Sequence, residues 1–386
     1  MSKSHAKPGT SRHHRQDRQH GARAGDGRTK ARDGKERAAH GSRNRQAPGK
    51  QAAAERRLGP ADHRRMAIKP ATRELPVQST PLPKQAQPLP PLQVNGRRTA
   101  EWYVIKLPDA VKDAPVGQIL RRLPVPPKIA DKLLAERGVM KQRDKLSLRL
   151  FPEESPEFVA QWSDLNILYE DEFTLVVNKP AGLEIYPSSR GQTGTLANHV
   201  AAYYESTGQA CRVRHIHRLD KETTGPVIYA KNELAHYIYD RDMREKKIER
   251  IYLAVVEGIL DKRKGTIDQP IGKDRHHSTR RRVSPTGERA ITHYEVVETF
   301  RDHTLVRLRL ETGRTHQIRV HMSAIGHPLA GDGMYGGMRT WISRQALHGE
   351  QLLFNHAWTG KRIAVNAPLP DDMRELLEQL RQHAAR

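Results

Sequence analysis

The chain has 386 residues, 36% hydrophobic and only 5% aromatic, with a formal net charge of +23 and a sequence pI near 10.2. That length admits one large domain with a small module, or two ordinary domains, and the low apolar content implies that part of the chain stays unfolded. The charge favours a polyanionic partner, nucleic acid first and an anionic membrane surface second. A single cysteine, Cys211, excludes an internal disulfide and the paired thiolates of a structural zinc site. No apolar run approaches the roughly 18 residues needed to cross a bilayer. The polar, basic N-terminus lacks the apolar core of a secretory signal, so a soluble, cytoplasmic protein with no membrane contact is expected.

Residues 1–98 are expected to be a disordered basic tail. They lack aromatics and carry 23 Lys and Arg against 7 Asp and Glu, so +16 of the +23 lies there and about +7 remains for the rest. The Pro-rich stretch Leu75–Leu92 should be an extended linker. RNA contact through phosphate neutralisation is the functional reading of the tail, and solubilisation the plain one. A small α/β module is expected over 99–155. Trp102–Ile105 is a strand candidate and Gly117–Leu120 begins a helix. Pro127–Arg137 is a second helix, with proline in its first turn and Gly138 just past its end. Lys145–Leu150 alternates as a half-buried strand does. Helices followed by a strand, rich in Lys and Arg, resemble the αL-type RNA-binding module in pattern; an appendage packed on the next domain fits equally well.

A catalytic domain is expected over 164–386. Strands are expected at Leu175–Val177, Val227–Tyr229, Tyr252–Val256, Ile291–Val297 and Leu305–Leu310. Helices are expected at Leu196–Ser206, Leu234–Glu245, Arg314–Ile325 and Asp371–His383. Short neighbouring strands with interspersed helices predict an α+β fold with a mixed, mainly antiparallel sheet.

The densest cluster of chemical groups is Arg214–Gly225, RHIHRLDKETTG, followed at once by an apolar strand. A loop carboxylate flanked by Arg and Lys would be held ionised, and an ionised carboxylate can serve as nucleophile or base. Taken alone, Asp220 fits a structural ion pair as readily. His215 and His217, or His316 and His321, lack acidic or thiol partners at ligand spacing, so no metal is expected. The Gly-rich Gly331–Gly337 does not stand between a strand and a helix start and is expected to be a turn.

Four blocks in order resemble the RluA-type pseudouridine synthases. Ile216–Gly225 is similar to their HRLDxxTSG signature, Leu168–Leu183 to their NKPAG opening and Lys247–Gly258 to KxYxAxVxG. Leu310–Met322, with Gly326–Asp332 and Tyr335-Gly336, is similar to TGRTHQIRVH…GHP..GD..YG. The likeness spans 164 to about 368. Thr224 stands where the family has Ser, Pro226 where an apolar residue is usual, and Tyr186 where His is frequent.

The resemblance implies a pseudouridine-synthase-like fold with flanking helices and a central cleft. It implies an enzyme that isomerises uridine in RNA, ribosomal RNA ahead of transfer RNA, without cofactor or metal, and a monomer is expected. It implies that Asp220 is the catalytic aspartate, that Tyr252 lies against the target base and that Arg319 pairs with Asp220. It also implies that Arg218 fills the gap left by the displaced base, and that His217, Lys179, Arg314 and Gln317 join it in binding substrate. A non-catalytic RNA binder and an Asp-His hydrolase are the competing readings. The intact trio Asp220, Tyr252 and Arg319 argues against the first, and the lack of a Gly-x-Ser-x-Gly elbow or a metal-ligand set against the second.

Overall fold

A computed structural model describes residues 90–385; the expected tail up to residue 89 lies outside them. In chain order the elements are β1 (Gly96–Thr99), β2 (Trp102–Lys106), α1 (Val116–Leu120), α2 (Pro127–Ala135), β3 (Val139–Gln142) and β4 (Lys145–Leu148). Next come β5 (Ile167–Glu170), β6 (Thr174–Lys179), α3 (Leu196–Ser206), β7 (Arg214–His215), β8 (Gly225–Ala230), α4 (Glu233–Arg244) and β9 (Glu249–Glu257). The remainder is β10 (Lys264–Asp268), β11 (Ile271–Lys273), β12 (Arg281–Val283), β13 (Ile291–Thr299), β14 (His303–Leu310), α5 (Gln317–Ala324), β15 (Leu347–Asn355), β16 (Arg362–Asn366) and α6 (Asp371–Ala384).

The strands form an N-terminal sheet, β1-β2-β4-β3, a second sheet, β5-β6-β8-β7, and a six-stranded sheet, β10-β13-β14-β9-β15-β16, with β11-β12 as a separate hairpin. Every ladder among the described residues is antiparallel. The expected mixed sheet is therefore more uniform than anticipated, and the parallel component is confined to single bridges such as Thr224 to His348.

The expected start of order near residue 99 moves back. Gly96–Arg98 belong to β1, and Leu92 and Val94 pack against the core. Gly96 is needed there because a Cβ would fall 2.3 Å from the Tyr103 ring. The first sheet buries Tyr103, Ile105, Leu146 and Leu148 in the same core as Phe173, Phe354 and Trp358. Tyr103 meets Trp358 at 4.7 Å and Phe173 at 5.3 Å between ring centroids, both edge-on, the arrangement that ring quadrupoles favour. The Trp358 indole N–H donates to the Val94 carbonyl at 2.8 Å, so the polar end of that ring is satisfied as well.

Strands β6 and β8 read as nearly continuous apolar runs because both faces are covered: Val176 and Ile228 face the first core, Leu175, Val177 and Val227 a second that includes α3 and the six-stranded sheet. Helix α3 begins where the capping box of Thr195 and Asn198 satisfies the free N–H groups. Helix α4 begins at Asn232, whose side chain accepts the Ala235 N–H at 2.8 Å. The expected helix Arg314–Ile325 starts three residues later, because His316 takes a left-handed conformation (φ 59°) and a helix cannot run through it.

Candidate active site

The loop between β7 and β8 carries Asp220 to the line where the second and six-stranded sheets meet. Thr224 bridges to His348 on β15, and the Gly349 N–H donates to the Thr224 carbonyl at 2.8 Å. Gly225 makes the approach close: its φ is +127°, and a Cβ there would lie 2.6 Å from the Gly349 carbonyl oxygen. The loop is tied from below as well. The Lys179 ammonium donates to the Lys221 carbonyl at 2.7 Å, Arg344 to that of Glu222 at 3.0 Å, and the Thr223 N–H closes a turn on the Asp220 carbonyl at 3.0 Å.

Asp220 stands over a cleft of about 490 Å³ whose walls include Arg218, Tyr252, His316, Arg319 and Leu347. Its carboxylate keeps 18% of its side-chain surface exposed and lies 3.4 Å from an Arg319 Nη. Tyr252, on β9, is 5% exposed and held between Leu308 of β14 and Gly349 of β15, so its ring is a fixed wall. Burial pushes its phenol above the usual tyrosine range, which keeps the hydroxyl protonated at neutral pH. Arg218 is exposed at the rim, its guanidinium 5.8 Å from the Tyr186 ring centroid, and that ring stacks on His215 at 4.7 Å.

Arg319 pairs first with another residue than expected. It forks onto Asp332 with bonds of 2.6 and 2.8 Å, and only its remaining nitrogen faces Asp220. The bidentate bond fixes the plane of the guanidinium, and the Tyr335 ring supports it at 4.9 Å. Tyr335 also holds His316: its hydroxyl lies 2.8 Å from Nδ1, while Nε2 is 3.9 Å from Asp220. Burial lowers the affinity of His316 for a proton, with Asp220 pulling the other way. A Tyr335 O–H donated to Nδ1 leaves the ring proton on Nε2, turned toward the carboxylate.

The expected substrate contacts divide. Arg314 lies on the rim, paired with Glu288 and donating to the Arg289 carbonyl at 3.0 Å. Two of these residues are held inward by their own hydrogen bonds, Gln317 within the cleft wall. Lys179 is fully buried, and its three protons go to the carbonyls of Pro180, Leu183 and Lys221, so it braces the Asp220 loop. Gln317 is 3% exposed; its amide donates to Ile291 and Thr292 and accepts from Thr312 and Arg314, so it braces the turn before α5. His217, 7% exposed, backs the cleft wall: its Nε2 accepts the Ile228 N–H at 3.5 Å, and burial pulls its pKa down to about 3. Sequence reasoning missed Asp332, Tyr335 and His316 as site residues. All three stand within the quoted motifs, but the block holding Asp332 and Tyr335 reads as a plain turn until Arg319 is seen to lie beside it. Among the described residues no group of three or more His, Cys, Asp and Glu gathers closely enough to hold a metal ion, and no helix is long and apolar enough to cross a membrane.

Antiparallel sheets meeting at a cleft, with a carboxylate, a braced arginine and an aromatic wall, define the site of an RNA-modifying isomerase once the comparisons are added. The RNA pseudouridylate synthase family model matches residues 173–324. An uncharacterised RNA pseudouridine synthase of Bacillus subtilis, YhcT, is 46% identical over 240 residues, 62% of this chain and 80% of that one. The ribosomal large subunit pseudouridine synthase D of Pseudomonas aeruginosa is 41% identical over 264 residues, 65% of this chain and 82% of that one. Among solved structures, human RNA pseudouridylate synthase domain containing 1 is 26% identical with a TM-score of 0.46, covering 56% of this chain and 95% of that one. The chain belongs to the RNA pseudouridylate synthase family, in its RluA-type branch, and is an RNA pseudouridine synthase.

Proposed function

We propose that the protein converts uridine to pseudouridine in ribosomal RNA, acting as a monomer in the cytoplasm, with Asp220 as the catalytic carboxylate and nucleophile. The observation that carries this reading is the Asp220 carboxylate standing at the cleft wall between the braced Arg319 and the fixed Tyr252 ring. The reaction breaks the glycosidic bond from nitrogen and remakes it to carbon 5 of the same base. The uridine must leave its stack, at a cost of about a few kcal/mol, and the detached uracil must be kept and turned. Tyr252 supplies a flat wall for the ring. Arg319, held by Asp332, balances the charge on Asp220 without having to reorganise during the reaction. Arg218 is long and exposed enough at the rim to enter the gap in the stack. His217, in the wall beside Arg218, keeps that part of the loop in place.

Ribosomal RNA is favoured over transfer RNA by the relatives named for the large subunit, and the net charge of +23 suits either RNA. The sheet β1–β4 with α1 and α2, which begins at Gly96 ahead of the expected 99–155, is read as the αL-type RNA-binding module, next to the catalytic domain over 164–386. The test is tritium release from uridine labelled at carbon 5, offered in unmodified large-subunit ribosomal RNA transcripts and in transfer RNA transcripts. Release from the ribosomal transcript alone supports the proposal. Release from transfer RNA alone overturns the choice of substrate.

A further inference from the structure

The cleft has two lobes, and Asp220, Arg218, His316 and Arg319 stand on the ridge that both share. The narrower lobe, about 490 Å³, has the aromatic and aliphatic wall of Tyr252, Leu310 and Leu347 that suits a base. The wider lobe, about 1130 Å³, is lined by five arginines and Lys221 and also by the carboxylates of Glu184, Asp220, Glu222, Asp332 and Asp372, so what matters is which cations are left without a partner. Two of those arginines are committed. Arg319 forks onto Asp332, and Arg344 forks onto Asp372 with bonds of 2.6 and 2.8 Å.

Arg281 differs. It stands on β12 with its backbone N–H donated to the Tyr335 hydroxyl at 2.9 Å, so its position is fixed to the same residue that supports Arg319. Its guanidinium forms no hydrogen bond or ion pair among the described residues, and its Nη1 is shut off from water without an acceptor. Arg281 as a whole is only half-buried and lines the lobe, so its uncompensated charge can be offset by an anion bound on its open side rather than at Nη1. Arg339, exposed on the same lobe, likewise has no carboxylate partner among the described residues.

We propose that the wider lobe seats the phosphodiester backbone of the nucleotides beside the flipped uridine, with Arg281 as a phosphate ligand and Arg339 as its companion. The proposal rests on the uridine reading above and gives it a direction: the base enters the narrow lobe, and the strand runs through the wide one past β12. An arginine fits this task because its fork matches two phosphate oxygens, whereas the lysines at the rim act as point charges.

The test is equilibrium binding of a fluorescein-labelled single-stranded oligoribonucleotide with one central uridine, measured across a salt series. Each phosphate neutralised on a single strand contributes about 0.7 to the slope of log affinity against log salt. Arg281→Gln should bind more weakly and lose about 0.7 from that slope, and Arg281→Lys should keep most of it. Arg282→Ala, an exposed arginine on the same strand outside the lobe, is the control and should leave the slope in place. An unchanged slope in Arg281→Gln overturns the proposal. So does an equal loss in Arg282→Ala, which would mean diffuse surface charge. Binding needs no turnover, so failure here is separable from failure of the isomerase reading: tritium release that persists beside an unchanged slope sinks the phosphate site alone.

Discussion

At the residue scale the site depends on groups that orient other groups. Asp332 touches no cleft-facing atom of the trio except Arg319, yet it sets the plane of that guanidinium. Asp332→Asn keeps the shape and removes the charge. It should lower kcat by about 10- to 100-fold with little change in KM, the signature of a misplaced catalytic neighbour; a rise in KM alone would assign Asp332 to substrate binding. His217 makes a prediction of the same sign as the usual acid-labile carboxylate, in a higher pH window. Its pKa is about 3 in the folded protein because it is buried, against about 6.5 in an unfolded chain. The folded state therefore binds fewer protons between those values, and stability falls as pH drops from about 6.5 toward 3. Near pH 4.5 the loss should be roughly 2 to 3 kcal/mol. Urea denaturation of wild type and His217→Asn at pH 7 and pH 4.5 measures it. A wild-type loss no larger than that of the variant would contradict the assignment.

At the element scale the decisive contact is the seam between β8 and β15. Gly225→Ala forces a side chain into φ +127° and against the Gly349 backbone. It should cost roughly 2–4 kcal/mol and displace the Asp220 loop. A thermal scan showing an unchanged midpoint would mean that the seam yields more readily than the geometry implies. This seam also marks where sequence reading stopped. Strands β6, β8, β9, β13 and β14 and helices α3, α4 and α6 were legible because buried runs and 3.6-residue periodicity are local signals. Strand β15, LHGEQLLFN, was not: its register shifts between Gly349 and Gln351, so it neither alternates nor runs apolar. The positions of Asp220, Tyr252 and Arg319 came from the motifs, but a motif gives no side-chain direction. Lys179 and Gln317 therefore read as substrate contacts, although burial had already turned both inward.

At the scale of the whole molecule, the N-terminal sheet and the segments after it are one packed body across the aromatic cluster of Tyr103, Phe151, Phe173 and Trp358. Truncating a buried aromatic of that kind typically costs about 3–5 kcal/mol. Tyr103→Ala should lose that much, and fluorescence and far-ultraviolet dichroism should follow a single urea transition in both proteins. Two separate transitions would mean that the small sheet folds on its own and only leans on the catalytic part.

The central claim is that the Asp220 carboxylate performs the isomerisation at this cleft. It is tested most directly by tritium release from carbon-5-labelled RNA for wild type and Asp220→Asn, with RNA binding measured on the same samples. The structure predicts that Asp220→Asn binds RNA but releases no tritium. Release at the wild-type rate from Asp220→Asn would place the chemistry on another group.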